Sequence, residues 1–327
     1  AGRLLGVIGI GGSAGTTIAT SAMRALPLGV PKLMVSTLAS GQVRPWVGDA
    51  DVLMLNSVVD IAGLNRISRG VLDTAARAMA GLVTLDPAPP ATDSRPMVAA
   101  TMFGVTTPCV ERARQRLEEA GYEVLVFHAT GNGGQAMETL IAEDFFSGVL
   151  DITTTELADE LVGGILSAGP DRLTAAGRAG IPQVISVGAT DMVNFGTRDS
   201  VPAEFSGRLF YEHNPTVTLM RTTVEENRRL GEEIGQKAAA ATGPTAVVLP
   251  MLGVSAIDHR GQPFDDPRAR TALFTALNRH CGDVELIESA HHINDPEFAD
   301  AAADRLVALM NAPEDQRPGG VDHGTGS

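Results

Sequence analysis

The stretch Gly9-Ile10-Gly11-Gly12-Ser13-Ala14-Gly15-Thr16-Thr17 decides how the start of the chain folds. It follows the apolar run 4–8 and precedes residues 18–26, whose small and apolar side chains suit a buried helix. A strand, a glycine turn and a helix in that order direct backbone N–H groups and a helix N-terminus at one point, which attracts phosphate or carboxylate. The same letters also spell Gly11-x-Ser13-x-Gly15, the nucleophile elbow of serine hydrolases. Both interpretations stay open at this stage.

The composition is that of a globular protein without the features of a nucleic-acid-binding protein. The chain has 327 residues, enough for two domains of ordinary size, and 44% of them are hydrophobic. Its formal net charge is −14 and no cluster of basic residues stands out, whereas nucleic-acid-binding proteins usually present a basic face. Lys32 and Lys237 are the only lysines, so a bound polyanion would depend on backbone N–H groups, arginine or a metal ion.

Cysteine usage and hydropathy bear on the compartment. Cys109 and Cys281 are far apart and form no Cys-x-x-Cys motif, which fits a reducing cytosol, so we expect a cytoplasmic protein. No run approaches the roughly 20 apolar residues that a membrane-spanning helix needs, so we expect no membrane partner. The pair His291-His292 invites a zinc interpretation, but adjacent residues of a strand point to opposite faces. We therefore predict no metal site.

Apolar runs alternate with helical patterns along the whole chain, which is typical of parallel sheets with helices on both faces. The sequence thus predicts an α/β fold of two Rossmann-like domains with mostly parallel sheets flanked by helices. A Pro-rich polar break at 86–94 is the predicted boundary between a first domain at 1–88 and a second at 95–311, with a disordered tail at 312–327. We predict helices at 67–82, 224–241, 267–279 and 295–311, strands at 122–127, 183–187, 245–249 and 284–288, and an irregular stretch from 197 to about 220.

The loops that follow the predicted strands share one chemistry. They are rich in glycine, hydroxyl and amide side chains, as in 101–107, 128–134, 153–156 and 188–191. Ligands of open α/β sheets bind outside the carboxyl ends of the strands. Two sheets whose carboxyl edges face each other would form one deep polar cleft, so we expect a ligand in a cleft between the two domains.

Several longer motifs belong to a single pattern. They are Gly11-Gly12-Ser13-Ala14-Gly15-Thr16, Gly29-Val30-Pro31-Lys32, Val58-Val59-Asp60-Ile61-Ala62-Gly63-Leu64-Asn65, Thr101-Met102-Phe103-Gly104-Val105-Thr106-Thr107-Pro108, Phe127-His128-Ala129-Thr130-Gly131, Asp191-Met192-Val193-Asn194-Phe195-Gly196, His213-Asn214-Pro215 and Thr218-Leu219-Met220-Arg221-Thr222-Thr223. On these motifs, over residues 4 to about 310, the chain resembles the ATP-binding domain family of the tomato mosaic virus resistance protein. The resemblance implies two Rossmann-like subdomains, ATP binding and self-association into a homo-oligomer. It also implies an upstream βα segment with an Asp-Thr-Lys motif, which we expect domain 1–88 to lack.

Two glycine loops are the predicted phosphate sites. The first would hold phosphate through the backbone N–H groups and hydroxyls of Gly11, Gly12, Ser13, Gly15, Thr16 and Thr17. It is not a P-loop, because GxxxxGK[ST] is not satisfied, and the alternative is that its glycines serve only tight strand–helix packing. The second comprises Thr130, Gly131, Gly133 and Gly134, and it would hold another part of the nucleotide or a second small-molecule ligand. His128, just before it, is either an acid–base group or a histidine satisfied within the fold.

Two charged residues complete the predicted nucleotide site. Asp191 follows a strand and would hold Mg²⁺ carried by the triphosphate, or a ribose hydroxyl, although Asp is also common as a loop or helix cap. Arg221 lies in the irregular stretch and would neutralise phosphate or form a structural salt bridge. Lys32, at the beginning of a strand, is predicted to be structural.

The leading hypothesis is a nucleotide-binding protein that holds ATP, with or without Mg²⁺, at the carboxyl ends of the strands. The alternatives are a serine hydrolase with Ser13 as nucleophile and Asp191 and His213 behind it, or a non-catalytic scaffold whose nucleotide tunes association. The residues leave open whether the protein is an enzyme.

Overall fold

The computed structural model describes residues 4–85 and 94–312, and the chain divides into two compact units, Ala1–Ser94 and Arg95–Ser327. The predicted break at 86–93 and the predicted tail at 313–327 lie outside the described residues. The α/β fold with parallel sheets flanked by helices is confirmed. Each unit is described separately below.

Unit 1 is built on a three-stranded parallel sheet in the order β1-β2-β3. The apolar face of the longest helix packs on the middle strand, where Leu33, Val35 and Ala75 form the core. Lys32 is buried at the start of its strand, where its ammonium bonds Asp51 and the carbonyl of Pro27, so its structural role is confirmed. The elements are β1 (Val7–Gly11), α1 (Ser13–Arg24), β2 (Lys32–Ser36), α2 (Arg44–Val47), β3 (Leu53–Asn56) and α3 (Arg66–Thr84).

Unit 2 contains a six-stranded parallel sheet in the order β12-β11-β7-β6-β4-β5. The first strands are β4 (Met97–Met102), β5 (Glu123–His128), β6 (Gly148–Thr153) and β7 (Gln183–Gly188), and the last two are β11 (Thr245–Pro250) and β12 (Glu285–Ser289). The helices are α4 (Thr107–Glu119), α5 (Asn132–Ala142), α6 (Thr155–Val162), α7 (Ala175–Ala179), α8 (Val224–Ala239), α9 (Pro267–His280) and α10 (Pro296–Met310), with short 3₁₀ helices at Gly104–Thr106, Arg198–Ser200 and Ala203–Phe205.

Side chains alternate between the two faces of the six-stranded sheet, as the period of a strand requires. Val98 and Leu150 face α4 and α10 in one buried cluster. Ile185 and Val247 face α8 and α9 in another. Because the six strands are parallel, their carboxyl ends all lie at one edge, and the loops at this edge hold the predicted ligand residues 130–134 and Asp191.

The stretch predicted to be irregular holds two 3₁₀ helices and loops over 197–209, whereas its residues 210–220 form a hairpin of a second sheet of unit 2. Its strands are β8 (Met192–Phe195), β9 (Phe210–Asn214) and β10 (Val217–Arg221), and they pair antiparallel in the order β8-β10-β9. The sequence prediction failed here because these strands are short and β9 is partly exposed and polar, so no apolar run marks it. None of the helices in the described ranges is both long enough and apolar enough to cross a membrane.

Candidate functional site

The glycine loop of unit 1 joins β1 directly to α1. A Cβ atom on Gly11 would lie only 2.7 Å from the Cα of Gly15, so only glycine lets the strand end approach the helix this closely. At Gly12, the N-cap, a Cβ would meet nothing nearer than Thr37 Oγ1 at 3.7 Å. The two glycines therefore differ, because Gly11 is required by packing and Gly12 leaves open space over the helix N-terminus.

At the N-terminus of α1, neither the N-cap residue nor the first turn supplies an anionic partner. Its N-cap Gly12 provides no side-chain hydrogen bond, and the first turn carries no acidic residue. The first N–H groups of any helix have no acceptor within the helix, and the helix dipole makes this end positive. Ser13, the first residue of α1, is exposed. The loop thus offers an exposed hydroxyl and unpaired N–H groups to an anion.

The two threonine hydroxyls of this loop are used within the fold. Thr16 is buried, and its Oγ1 lies 2.8 Å from the carbonyl oxygen of Gly12 and 2.7 Å from Ser36 Oγ. Thr17 Oγ1 donates to the carbonyl of Ser13 at 3.0 Å and accepts from Trp46 Nε1 at 3.1 Å. The prediction that the Thr16 hydroxyl contacts phosphate conflicts with this burial, so the cradle reduces to the backbone and Ser13.

The second glycine loop precedes α5 and differs in one decisive respect. The buried carboxylate of Glu156 accepts hydrogen bonds through Oε1 from the N–H groups of Gly131, at 2.7 Å, and Gly134, at 3.1 Å. Thr130 is half-buried, and its hydroxyl turns back to the carbonyl of His128. A side chain of the protein therefore occupies the position predicted for phosphate, and the predicted roles of these loop residues need a correction.

Arg172 holds this carboxylate in place. Its fully buried guanidinium contacts Glu156 at 2.6 Å, Asp151 at 2.5 Å and Glu138 at 3.2 Å. Burial raises the pKa of Glu156, although the adjacent guanidinium acts in the opposite direction. The carboxylates around Arg172 hold its own pKa well above the usual value. This cluster is an internal ion-pair network and not a ligand site.

His128 stands apart from this network. Its side chain is exposed at the end of β5, and its ring lies 5.6 Å from that of Phe103, measured between centroids. The choice between an acid–base role and a purely structural one stays open.

Asp191 and Arg221 come together but face inward. Asp191 is fully buried, its Oδ2 accepts from Ser255 Oγ at 2.8 Å, and its backbone carbonyl accepts from Arg221 at 3.2 Å. Arg221 also donates to the carbonyl of Phe264 and to Asp258, at 2.8 Å and 3.1 Å. Burial, reinforced by the nearby Asp258 carboxylate, raises the pKa of Asp191 to about 7. Their predicted contact with nucleotide conflicts with these positions, and the salt-bridge alternative holds for Arg221.

The catalytic triad considered from the sequence does not assemble around Asp191. The partners of its side chain lie within the buried network, whereas His213 is exposed on β9. Among the described residues no hydrogen bond joins Asp191 to His213. The serine-hydrolase alternative therefore gains no support from the position of its predicted acid.

A cavity that the sequence did not predict opens at the carboxyl ends of β11 and β12. Its volume is about 450 Å³, and it is lined by Met251, Leu252, His259, Arg260, Arg270, His292 and Asp295. The signal available in the sequence was the pair His291-His292, but in the structure these residues follow β12 in a turn and do not lie on a strand. Histidines and arginines brought together from two loops and a helix leave no local sequence pattern.

Comparison with known proteins places the chain in a family. The model of the "Uncharacterised protein family (UPF0261) N-terminal domain" matches residues 1–88, and the model of the UPF0261 C-terminal domain matches residues 95–310. The chain belongs to the UPF0261 family.

Relatives occur in bacteria and in a plant. A UPF0261 protein of Clostridium tetani is 53% identical over 307 residues, covering 93% of this chain and 76% of the relative. One from Mesorhizobium japonicum is 53% identical over 300 residues, covering 91% and 75%. The tomato ToMV resistance protein Tm-1(GCR237) is 47% identical over 317 residues, which cover 94% of this chain but 42% of the tomato protein. The relatives thus include a tomato protein, and the sequence motifs resemble the family of that protein.

Proposed function

We propose that this UPF0261 protein binds ATP or a closely related nucleotide, with the phosphates on the glycine loop of unit 1. The observation that carries the proposal is the N-terminus of α1, where neither the N-cap Gly12 nor an acidic side chain of the first turn satisfies the first N–H groups. Backbone N–H groups at such an end bind phosphate without needing lysine, and this chain has only two lysines. The resemblance to the ATP-binding domain family supports the choice of nucleotide.

The residues of the loop would have separate roles. Gly11 would bring the strand end against the helix, Gly12 would keep the space above the N–H groups free, and the exposed Ser13 would donate its hydroxyl to a phosphate oxygen. Mg²⁺ would arrive with the triphosphate. The location of the nucleotide in a cleft between the domains, and self-association into a homo-oligomer, remain predictions of the sequence.

The proposal can be tested with a substitution that imitates the second glycine loop. Ser13→Asp puts a carboxylate at the N-terminus of α1, where it satisfies the free N–H groups and repels phosphate. Thermal unfolding is followed through the fluorescence of Trp46, the single tryptophan, which bonds Thr17 on α1. Mg·ATP at 100 times its Kd should stabilise the wild-type protein by about 2.7 kcal/mol.

The matched control is Ala78→Glu, which adds the same charge at an exposed position of α3. We expect the control to keep the ATP-dependent stabilisation and Ser13→Asp to lose it while folding at least as stably as the wild type. No stabilisation of the wild type, or an equal one in Ser13→Asp, contradicts the proposal. Labelling by a covalent serine-hydrolase probe that disappears in Ser13→Ala would favour the hydrolase instead.

A further inference from the structure

The cavity at the ends of β11 and β12 is a candidate ligand site of unit 2, separate from the glycine loop of unit 1. The loops after these strands continue their pairing, since the N–H of Met251 donates to the carbonyl of Ser289 at 2.9 Å and that of Leu252 to His291 at 3.2 Å. These hydrogen bonds hold the two loops together beside a cavity of about 450 Å³. This volume is that of a small-molecule site, and its place at the carboxyl edge of a parallel sheet is where α/β proteins bind ligands.

Gly253 makes the wall of this cavity possible. Its φ is +145°, and a Cβ there would lie 2.8 Å from Cδ2 of His292 and would overlap the carbonyl oxygen of Asp258. A side chain at this position is excluded by both the conformation and the space. The close approach of the two loops thus depends on this glycine and brings His292 against the segment that carries His259.

His292 is held rigidly, and it orients the ring of His259. Its Nδ1 accepts from the N–H of Asn294 at 3.1 Å, so the proton of the neutral ring lies on Nε2, which donates to the carbonyl of Ser255 at 2.8 Å. Burial lowers the pKa of His292, which keeps the ring neutral. The His259 ring packs edge-on against it, with 5.0 Å between centroids. Both nitrogens of His292 are therefore used, whereas His259 borders the cavity.

The charged residues of the lining are two arginines, Arg260 and Arg270, and one aspartate, Asp295. Arg270 is neutralised by Asp258 at 2.8 Å and Asp265 at 3.0 Å. Asp295 turns its carboxylate to the N–H of His292 at 2.7 Å. Arg260 is exposed and forms no ion pair with the described residues, whereas Arg270 forms two. Arg260 is therefore available to pair with an anionic ligand.

Another part of the cavity lining is apolar. Met251 and Leu252 line it, and Leu252 is 56% exposed although it lies directly beside charged groups. We propose that this cavity binds a small organic oxyanion, a carboxylate or a phosphate monoester, with its charge on Arg260 and its apolar part on Met251 and Leu252. The planar guanidinium matches both kinds of oxyanion. The inference is independent of the nucleotide proposal for the glycine loop.

Binding can be tested on the full chain with phenyl phosphate, benzoate and the neutral benzyl alcohol as probes. Affinity is measured by calorimetry, and the position of the probe by the NMR signals of the His259 ring, assigned through His259→Gln. We expect phenyl phosphate or benzoate to bind and to shift the His259 signals, and benzyl alcohol to bind at least tenfold more weakly. Whichever anion binds more tightly assigns the ligand class.

Arg260→Gln should weaken binding of the anion about tenfold or more, since a charged hydrogen bond contributes roughly 1.5–3 kcal/mol. The control Arg279→Gln removes the same charge from an exposed position near the end of α9 and should leave the affinity unchanged. Ser13→Asp should also leave it unchanged, which separates this site from the glycine loop. The inference is overturned if neither anion binds, if Arg260→Gln binds as tightly as the wild type, or if the His259 signals do not move.

Discussion

Glu156 accepts, through Oε1, a hydrogen bond of 2.7 Å from the backbone N–H of Gly131. A buried carboxylate from outside the helix therefore caps the N-terminal end of α5, whose own N-cap residue and first turn, like those of α1, supply no capping side chain and no acid. The same sequence pattern of strand, glycines and helix thus has two different outcomes. In one loop the protein supplies the anion itself, and for the other we propose that a ligand supplies it.

Replacing Glu156 by glutamine should destabilise unit 2 strongly. The amide oxygen can still accept from Gly131, but the NH₂ group then faces the Nε–H of Arg172, donor against donor, and a fully buried cation loses an anionic partner. Breaking a buried pair in this way costs about 3–5 kcal/mol. Urea unfolding followed by far-UV circular dichroism measures the loss. The control Glu160→Gln, exposed on the same helix, should stay within about 0.5 kcal/mol, and equal losses in both variants would refute the prediction.

Alanine substitutions of the two glycines of the first loop should differ in their effect on stability. Gly11→Ala forces a Cβ against the Cα of Gly15 and should cost about 1–3 kcal/mol of stability. Gly12→Ala meets no close atom and should cost about 1 kcal/mol or less, as a poorer N-cap. Urea unfolding followed through Trp46 reports on unit 1. Gly81→Ala, in open space on α3, should be neutral or stabilising, and a Gly11→Ala variant as stable as the wild type would contradict the packing role.

The fold was accessible from the sequence because its signals are local. The helices predicted at 224–241, 267–279 and 295–311 are observed at Val224–Ala239, Pro267–His280 and Pro296–Met310, since apolar spacing and proline or capping residues determine them over a few turns. The contacts made inside the loops could not be predicted from the sequence. The partners of Asp191 and Arg221 include Ser255 and Asp258, which are 64 and 37 positions away, and no spacing rule connects such residues. A loop aspartate that would cap a helix or hold a metal looks the same in sequence as one that is buried.

Both cysteines should be inert in the native protein. Cys109 and Cys281 are buried free thiols, and burial raises the pKa of Cys109 far above its ordinary value. Because the thiolate is the reactive form, a disulfide-forming thiol reagent should modify neither residue until the protein opens, and both in urea. Ala78→Cys, exposed on α3, serves as the positive control and should react at once. Rapid native labelling of Cys109 would show that α4 does not pack as described.

The stability of unit 2 should fall between about pH 4 and pH 7, and the buried Asp159 is one group responsible. Burial raises the pKa of Asp159 from 3.8 to about 7. The native state then binds this proton more tightly than the unfolded chain. The stabilisation that comes from this proton is complete below the pKa of Asp159 in the unfolded chain. It is lost, by about 1.4 kcal/mol per pH unit, as the pH rises from there through the pKa of Asp159 in the native state.

Asparagine is a neutral substitute for the protonated acid. Asp159→Asn keeps an acceptor for the N–H groups of Leu166 and Asn194, both at 3.1 Å. Rotation of the Asn194 amide presents its Oδ1, which has no partner in the described structure, to the new NH₂ group. The free energy of unfolding of the wild type minus that of Asp159→Asn should therefore decrease from pH 4 to about 7 and level off above it. Asp171→Asn, at an exposed position, should show a much smaller change, and a difference for Asp159→Asn that stays flat or rises over this range would exclude the raised pKa.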